Sequence, residues 1–104
     1  MMLERLCSVS DVPEGEARRF DLGKLRFAVV HIGTDWYAIG DKCTHQDVSL
    51  ADGEVNAAKL EIECAKHGSC FSLTSGEPHS MPATRATPVY TVRIDDDAVY
   101  VEID

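Results

Sequence analysis

The sequence predicts a small antiparallel all-β protein, and three observations carry that expectation. Apolar residues alternate with polar ones at period two through much of the chain. Gly, Asp and Ser interrupt the alternation at short intervals, and no window sustains the i, i+3, i+4, i+7 spacing of an amphipathic helix. The 104 residues leave room for one core, so the expectation is one domain spanning residues 1–104. About eight to ten short strands in a compact sandwich or barrel fit this pattern.

The elements follow in order. Cys7 lies near an amino-terminal strand. Phe20 and Leu22 alternate with charged residues, Gly23-Lys24 makes a turn, and Leu25, Phe27 and Val29 resume the alternation. Gly33-Thr34-Asp35 separates the run from Phe27 to Ile32 from that between Trp36 and Ile39, which predicts a second hairpin. A short helical turn is admissible between Asp52 and Lys59, and nothing longer. Leu60, Ile62 and Cys64 alternate with Glu61 and Glu63, giving one apolar and one acidic face. Phe71 and Leu73 precede the turn sequence Thr74-Ser75-Gly76. Tyr90, Val92 and Ile94 alternate up to Asp95-Asp96-Asp97, and Val99, Val101 and Ile103 alternate beyond it. The Pro-containing stretches Val12 to Gly15 and Pro78 to Pro88 are expected to be loops of the same domain.

Charge excludes some partners. Eighteen Asp and Glu oppose ten Lys and Arg, a net charge of −8, which argues against nucleic acid or an anionic membrane because phosphate contacts need basic side chains. No stretch reaches the ~20 apolar residues of a membrane helix. The amino terminus lacks the plan of a signal peptide, so a cytoplasmic location is the expectation. In that reducing setting the four cysteines point to metal binding rather than to two disulfides.

The chemistry is concentrated in two boxes. Cys43-Thr44-His45 follows a hairpin strand, and Cys64-Ala65-Lys66-His67 follows the strand Leu60 to Glu63, with eighteen residues between His45 and Cys64. Each box offers one thiolate and one imidazole from a loop leaving a strand. Cys₂His₂ ligation admits a single tetrahedral Zn²⁺ or a [2Fe–2S] cluster with two thiolates on one iron and two imidazoles on the other. Zinc sites ordinarily pair Cys with Cys and His with His, whereas each box here mixes the two, which favours the cluster.

The neighbouring residues carry a resemblance. Cys43-Thr44-His45, Asp52-Gly53-Glu54, and Glu63-Cys64-x-x-His67-Gly68-x-x-Phe71-x-Leu73-x-x-Gly76, continued by Pro82-Ala83, Val89-Tyr90 and Ala98 to Val101, resemble the Rieske-type ferredoxins from about Trp36 to the end. The resemblance implies that Cys43 and Cys64 ligate a buried iron and His45 and His67 an outer one. It also implies a tip made of two ligand loops, covered by a third that matches Pro78 to Ala83. Two Fe³⁺, two S²⁻ and two thiolates sum to zero, against −2 for four thiolates. Such centres therefore accept an electron more readily, at about −150 to +300 mV rather than about −400 mV.

The resemblance also places this chain at the low end of that range. The additional disulfide of high-potential relatives would fall on Val48 and Lys66, and so cannot form. Of the two hydroxyls those relatives supply, the serine is matched by Ser69 and the tyrosine by Phe71, which has no donor.

Other residues take plainer expectations. Cys7 and Cys70 are read as packed thiols, His31 as structural or exposed, and His79 as surface decoration. Trp36 and Tyr37 are read as core and rim of a hairpin, Asp95 to Asp97 as a solvated turn, and Lys66 as exposed. The chain is too short to add a flavin or mononuclear iron domain. The implied function is one-electron carriage from a reductase to a terminal, dioxygenase-type oxygenase or another acceptor. The alternatives are a ferredoxin of iron–sulfur cluster assembly and a zinc-binding or cluster-free regulatory module. The acid excess is expected to guide approach to a basic partner surface, with a less charged tip making the contact.

Overall fold

A computed structural model describes residues 2–41, 48–66, 68–79 and 85–103. The described residues form ten strands and two short 3₁₀ turns, with no α-helix. The strands are β1 (Met2–Ser8), β2 (Ala17–Leu22), β3 (Leu25–Ile32), β4 (Asp35–Gly40), β5 (Glu54–Asn56), β6 (Glu61–Glu63), β7 (Cys70–Ser72), β8 (Val89–Tyr90), β9 (Val92–Asp95) and β10 (Ala98–Ile103). They pair antiparallel in three sheets, ordered β1-β10-β9, β2-β3-β4-β8 and β5-β6-β7.

The turns explain the register. Leu22 pairs with Leu25, and Ile32 with Asp35, across two-residue turns whose first residues, Gly23 and Gly33, stand at φ +59 and +60. That left-handed start suits the twist of the strands it joins. At the β9–β10 turn, Asp96 and Asp97 both take positive φ, a conformation aspartate tolerates better than most side chains. The acidic triplet is thus a tight hairpin turn. Among the described residues no three His, Cys, Asp or Glu side chains are grouped to hold a metal ion.

The β2-β3-β4-β8 sheet is the middle layer. Phe27, Ala28, Val29 and Val30 are all buried, because successive side chains of β3 point into two different cores. Phe27 and Val29, with Ala38, pack on Cys7, Val99 and Val101 of the β1-β10-β9 sheet. Ala28 and Val30, with Ile39, pack on Leu50, Ile62, Cys64, Phe71 and Leu73, the side that carries the second Cys-His box. The alternation at Leu25, Phe27 and Val29 marks only the first of these faces. Trp36 and Tyr37 divide likewise, one against each core.

Three expectations change. The helical turn falls at Leu50–Asp52, sharing only Asp52 with the predicted span, and Glu54–Asn56 is a strand paired with β6. Tyr90, Val92 and Ile94 do not share one strand. The chain changes sheets at Thr91, so Tyr90 pairs with Ala38 in the middle layer while Val92 pairs with Val101 in another sheet, and Ile94 is exposed. Leu60 lies outside β6, in a left-handed conformation at φ +52.

Candidate metal centre

The described residues that flank the two boxes are tied into the sheets and to one another. The first box begins two residues beyond Asp41, which directly follows the last residue of β4, Gly40, and on its far side Val48 and Ser49 lead into the turn Leu50–Asp52. Cys43, His45 and His67 lie outside the described residues, as do residues 80–84 of the expected covering loop. Cys64 is described, and it is completely buried beside Ile62, Phe71 and Leu50.

The second box is the loop of the β6–β7 hairpin. Glu63 pairs with Cys70, so residues 64–69 must turn back within six positions. The Cys64 N–H donates to the Ser69 carbonyl at 2.7 Å, and the Gly68 N–H donates to the Cys64 carbonyl at 2.9 Å. Gly68, at φ +75, supplies the left-handed residue that closes the turn. Ser69 is buried, while Ala65 and Lys66 are exposed.

One glycine joins the two boxes. A Cβ on Gly53 would lie 1.6 Å from the Glu63 carbonyl oxygen, so only glycine lets the segment leaving the first box approach the strand leading into the second. The Asp52-Gly53-Glu54 element of the resemblance thereby gains a physical reason.

The other closing contact is Asp41. Its carboxylate, fully buried, accepts the Ser49 hydroxyl at 2.5 Å and the Ala51 N–H at 2.7 Å, and the Arg19 Nε lies 3.7 Å away. Burial raises the Asp41 carboxyl above the usual aspartate range, while the Ser49 and Ala51 hydrogen bonds and the Arg19 charge oppose that shift.

The covering loop is anchored at both described ends. Pro78 bridges Phe71, the His79 N–H donates to the Cys70 carbonyl at 2.6 Å, and His79 Nδ1 lies 2.7 Å from Glu61 Oε2. Beyond the loop, buried Thr87 donates its N–H to Gly76 and its hydroxyl to Gly40, and the Gly40 N–H returns to Pro88. Gly76 is required there, since a Cβ would lie 2.0 Å from the Thr87 carbonyl oxygen.

Several sequence expectations are corrected at this site. Glu61 is nearly buried against His79 and is not a solvated acid, and His79 ties a loop to a strand and is not decoration. Asp41 is likewise withdrawn from the acidic surface. Cys70 is only half-buried, at the edge of a groove of ≈ 430 Å³ that Glu54, Glu61 and Glu63 also line. Register could have revealed this, because Cys70 and Phe71 are adjacent in a strand and Phe71 faces the core. Cys7 is buried, as expected. His31 is half-buried, stacked on Trp36 at 4.0 Å, with Nδ1 2.9 Å from the Val12 carbonyl.

A completely buried, free thiol opening a tight hairpin loop suits an iron–thiolate ligand, because a thiolate carried into an apolar core needs a cation to offset its charge. With a β architecture, and with the segment that follows the first box held against the strand that leads into the second, the molecule falls in the class of small β-proteins that hold a metal centre between two loops.

Comparison with known proteins places it within that class. A model of the Rieske [2Fe–2S] domain matches residues 3–91. The chain belongs to the Rieske [2Fe–2S] family, as one of its small ferredoxins, and its cofactor is the Rieske-type [2Fe–2S] cluster. It is 33% identical over 97 residues to the 3-phenylpropionate/cinnamic acid dioxygenase ferredoxin subunit of Shigella boydii, covering 93% of this chain and 90% of the relative. The ferredoxin of carbazole 1,9a-dioxygenase from Nocardioides aromaticivorans superposes with a TM-score of 0.91 at 29% identity, over 97% of both chains. A chain in a complex of reduced oxygenase and oxidised ferredoxin of carbazole 1,9a-dioxygenase superposes with a TM-score of 0.85 at 35% identity, over 95% of this chain and 91% of the other.

Proposed function

We propose that residues 1–104 act as one Rieske domain that carries single electrons from a reductase to a terminal oxygenase of the dioxygenase type, in the cytoplasm. The likeness over nearly the whole chain to ferredoxins of dioxygenase systems carries this reading. No helix among the described residues is long and apolar enough to cross a membrane.

In this proposal Cys43 and Cys64 hold the inner iron and His45 and His67 the outer one. The [2Fe–2S] cluster supplies a site that gains and loses one electron. The protein's own residues do the rest. Ile62, Phe71 and Leu50 pack around Cys64 and keep water from its thiolate, which lowers the local dielectric response. Gly53 holds the segment after the first box against the strand before the second, and Asp41 ties that segment back to the end of β4. The acidic surface, including exposed Glu54 and Glu63, steers the carrier toward basic partner surfaces.

The midpoint potential lies at the low end of the Rieske range of about −150 to +300 mV, because Ser69 offers the cluster a hydroxyl while Phe71 offers none. Ser69→Ala is expected to lower the midpoint further in a redox titration, and a wild-type midpoint well above zero would contradict the assignment.

Reconstitution tests the function. With a flavin reductase and a Rieske-type aromatic oxygenase, substrate turnover should depend on this protein and vanish with Cys64→Ser. Turnover that proceeds equally without it, across such oxygenases, would overturn the proposal. The relatives favour an oxygenase partner over an assembly factor.

A further inference from the structure

We propose that Asp41 is a positioning residue for the first ligand box: its carboxylate joins the residue that follows β4 to Ser49 and Ala51, which come after the box in the chain. The inference rests on the assignment of Cys43 and His45 as ligands.

Four observations carry it. Asp41 is 1% exposed, so its charge is held away from water and a purely decorative role is excluded. Each carboxylate oxygen takes a separate donor, Oδ1 from the Ala51 N–H at 2.7 Å and Oδ2 from the Ser49 hydroxyl at 2.5 Å, so the ends of the loop cannot separate without breaking charge-assisted hydrogen bonds. The Asp41 N–H itself donates to the Arg26 carbonyl at 3.1 Å, which fixes the strand end from which the carboxylate reaches. Leu50, between the two donor residues, is completely buried in the core that contains Cys64. The strap therefore extends to the strand before the second box: Asp41 holds the turn at Leu50–Asp52, and the turn delivers Gly53 to the Glu63 carbonyl.

The strap also brings a negative charge into the protein two residues before Cys43 in the chain. Arg19, itself bonded to Asp21 at 3.0 Å, lies near enough to offset part of that charge and is exposed enough to share it with water. A buried anion disfavours any step that makes its surroundings more negative, so Asp41 holds the midpoint potential down as well as holding the loop.

Two substitutions separate the two effects. Asp41→Asn keeps an oxygen for the Ala51 N–H, and the Ser49 hydroxyl can turn to accept from the new amide, so the strap survives without its charge. Asp41→Ala removes both. Iron and acid-labile sulfide per chain, far-UV circular dichroism and the midpoint potential are measured for each. Asp41→Asn is expected to retain its cluster and to favour reduction about threefold, a rise of roughly 30 mV at ~59 mV per tenfold. Asp41→Ala is expected to lose at least half of its iron and sulfide while keeping its β-sheet spectrum. A midpoint in Asp41→Asn equal to that of the wild type, or full cluster content in Asp41→Ala, would overturn the inference. The Asp41→Asn potential decides the matter by itself if Asp41→Ala fails to fold. Full cluster content in Cys43→Ser would overturn the ligand assignment and this inference together, whereas a negative Asp41 result overturns the inference alone.

Discussion

Gly53 shows how the site depends on single atoms. One methyl group there would enter the Glu63 carbonyl, and neither partner is a flexible side chain able to swing aside. Gly53→Ala must push β5 away from β6, at a cost of about 1–3 kcal/mol or more. The expected result is a lower melting temperature together with loss of iron and sulfide, whereas an Ala variant with wild-type cluster content would contradict the close approach. The two leftover cysteines differ just as sharply. Burial above all, with Asp11 adding to it and Arg5 opposing it, pushes the Cys7 thiol up to about 11, so it stays neutral and enclosed at ordinary pH. The folded-state value lies above the unfolded one. Its contribution to stability is therefore complete below pH 9.0 and is lost as pH rises through about 11. Brief alkylation of the native protein near pH 8 should label Cys70, which is partly exposed, and spare Cys7, as read by peptide mass spectrometry.

At the scale of elements, most of what was legible in the sequence came from period-two alternation and turn residues. The hairpins β2–β3, β3–β4 and β9–β10 lie where the Gly and Asp turns put them. Alternation misleads where burial is two-sided or where a strand changes sheet. Ala28 and Val30 read as the solvent face of β3 until a second core is seen to cover them, and the run from Tyr90 to Ile94 conceals the step between sheets at Thr91. The two boxes were legible because ligand identity and spacing are local. Their frame was not, since Asp41–Ser49–Ala51, Gly53–Glu63, Glu61–His79 and Gly40–Thr87 are contacts between distant or unpatterned positions. Thr87 gives an element-scale test. Thr87→Val keeps the shape but leaves the Gly40 carbonyl without that hydroxyl, at about 1 kcal/mol, or roughly 4–8 °C in Tm for a domain near this size. An unchanged melting curve would show that the strand leading into the first box does not rely on this bond.

Across the whole molecule, the three sheets divide the work. The β1-β10-β9 sheet closes one core against the middle sheet, and the β5-β6-β7 sheet presents the second box from the opposite face. The acidic surface remains after Asp41 and Glu61 are withdrawn from it, with Glu54 and Glu63 exposed beside the second box. Electron transfer to a basic partner should therefore slow as salt rises from low to physiological ionic strength, because the Debye length contracts to about 8 Å. Stopped-flow rates that hardly respond to salt would place recognition in uncharged contacts. The most direct test of the central claim is pulsed electron paramagnetic resonance of the chemically reduced protein. It should show one [2Fe–2S] centre coupled to two histidine nitrogens, both lost in His45→Ala and His67→Ala double substitution. A reduced centre without nitrogen coupling, or a colourless protein holding one zinc and no sulfide, would contradict it.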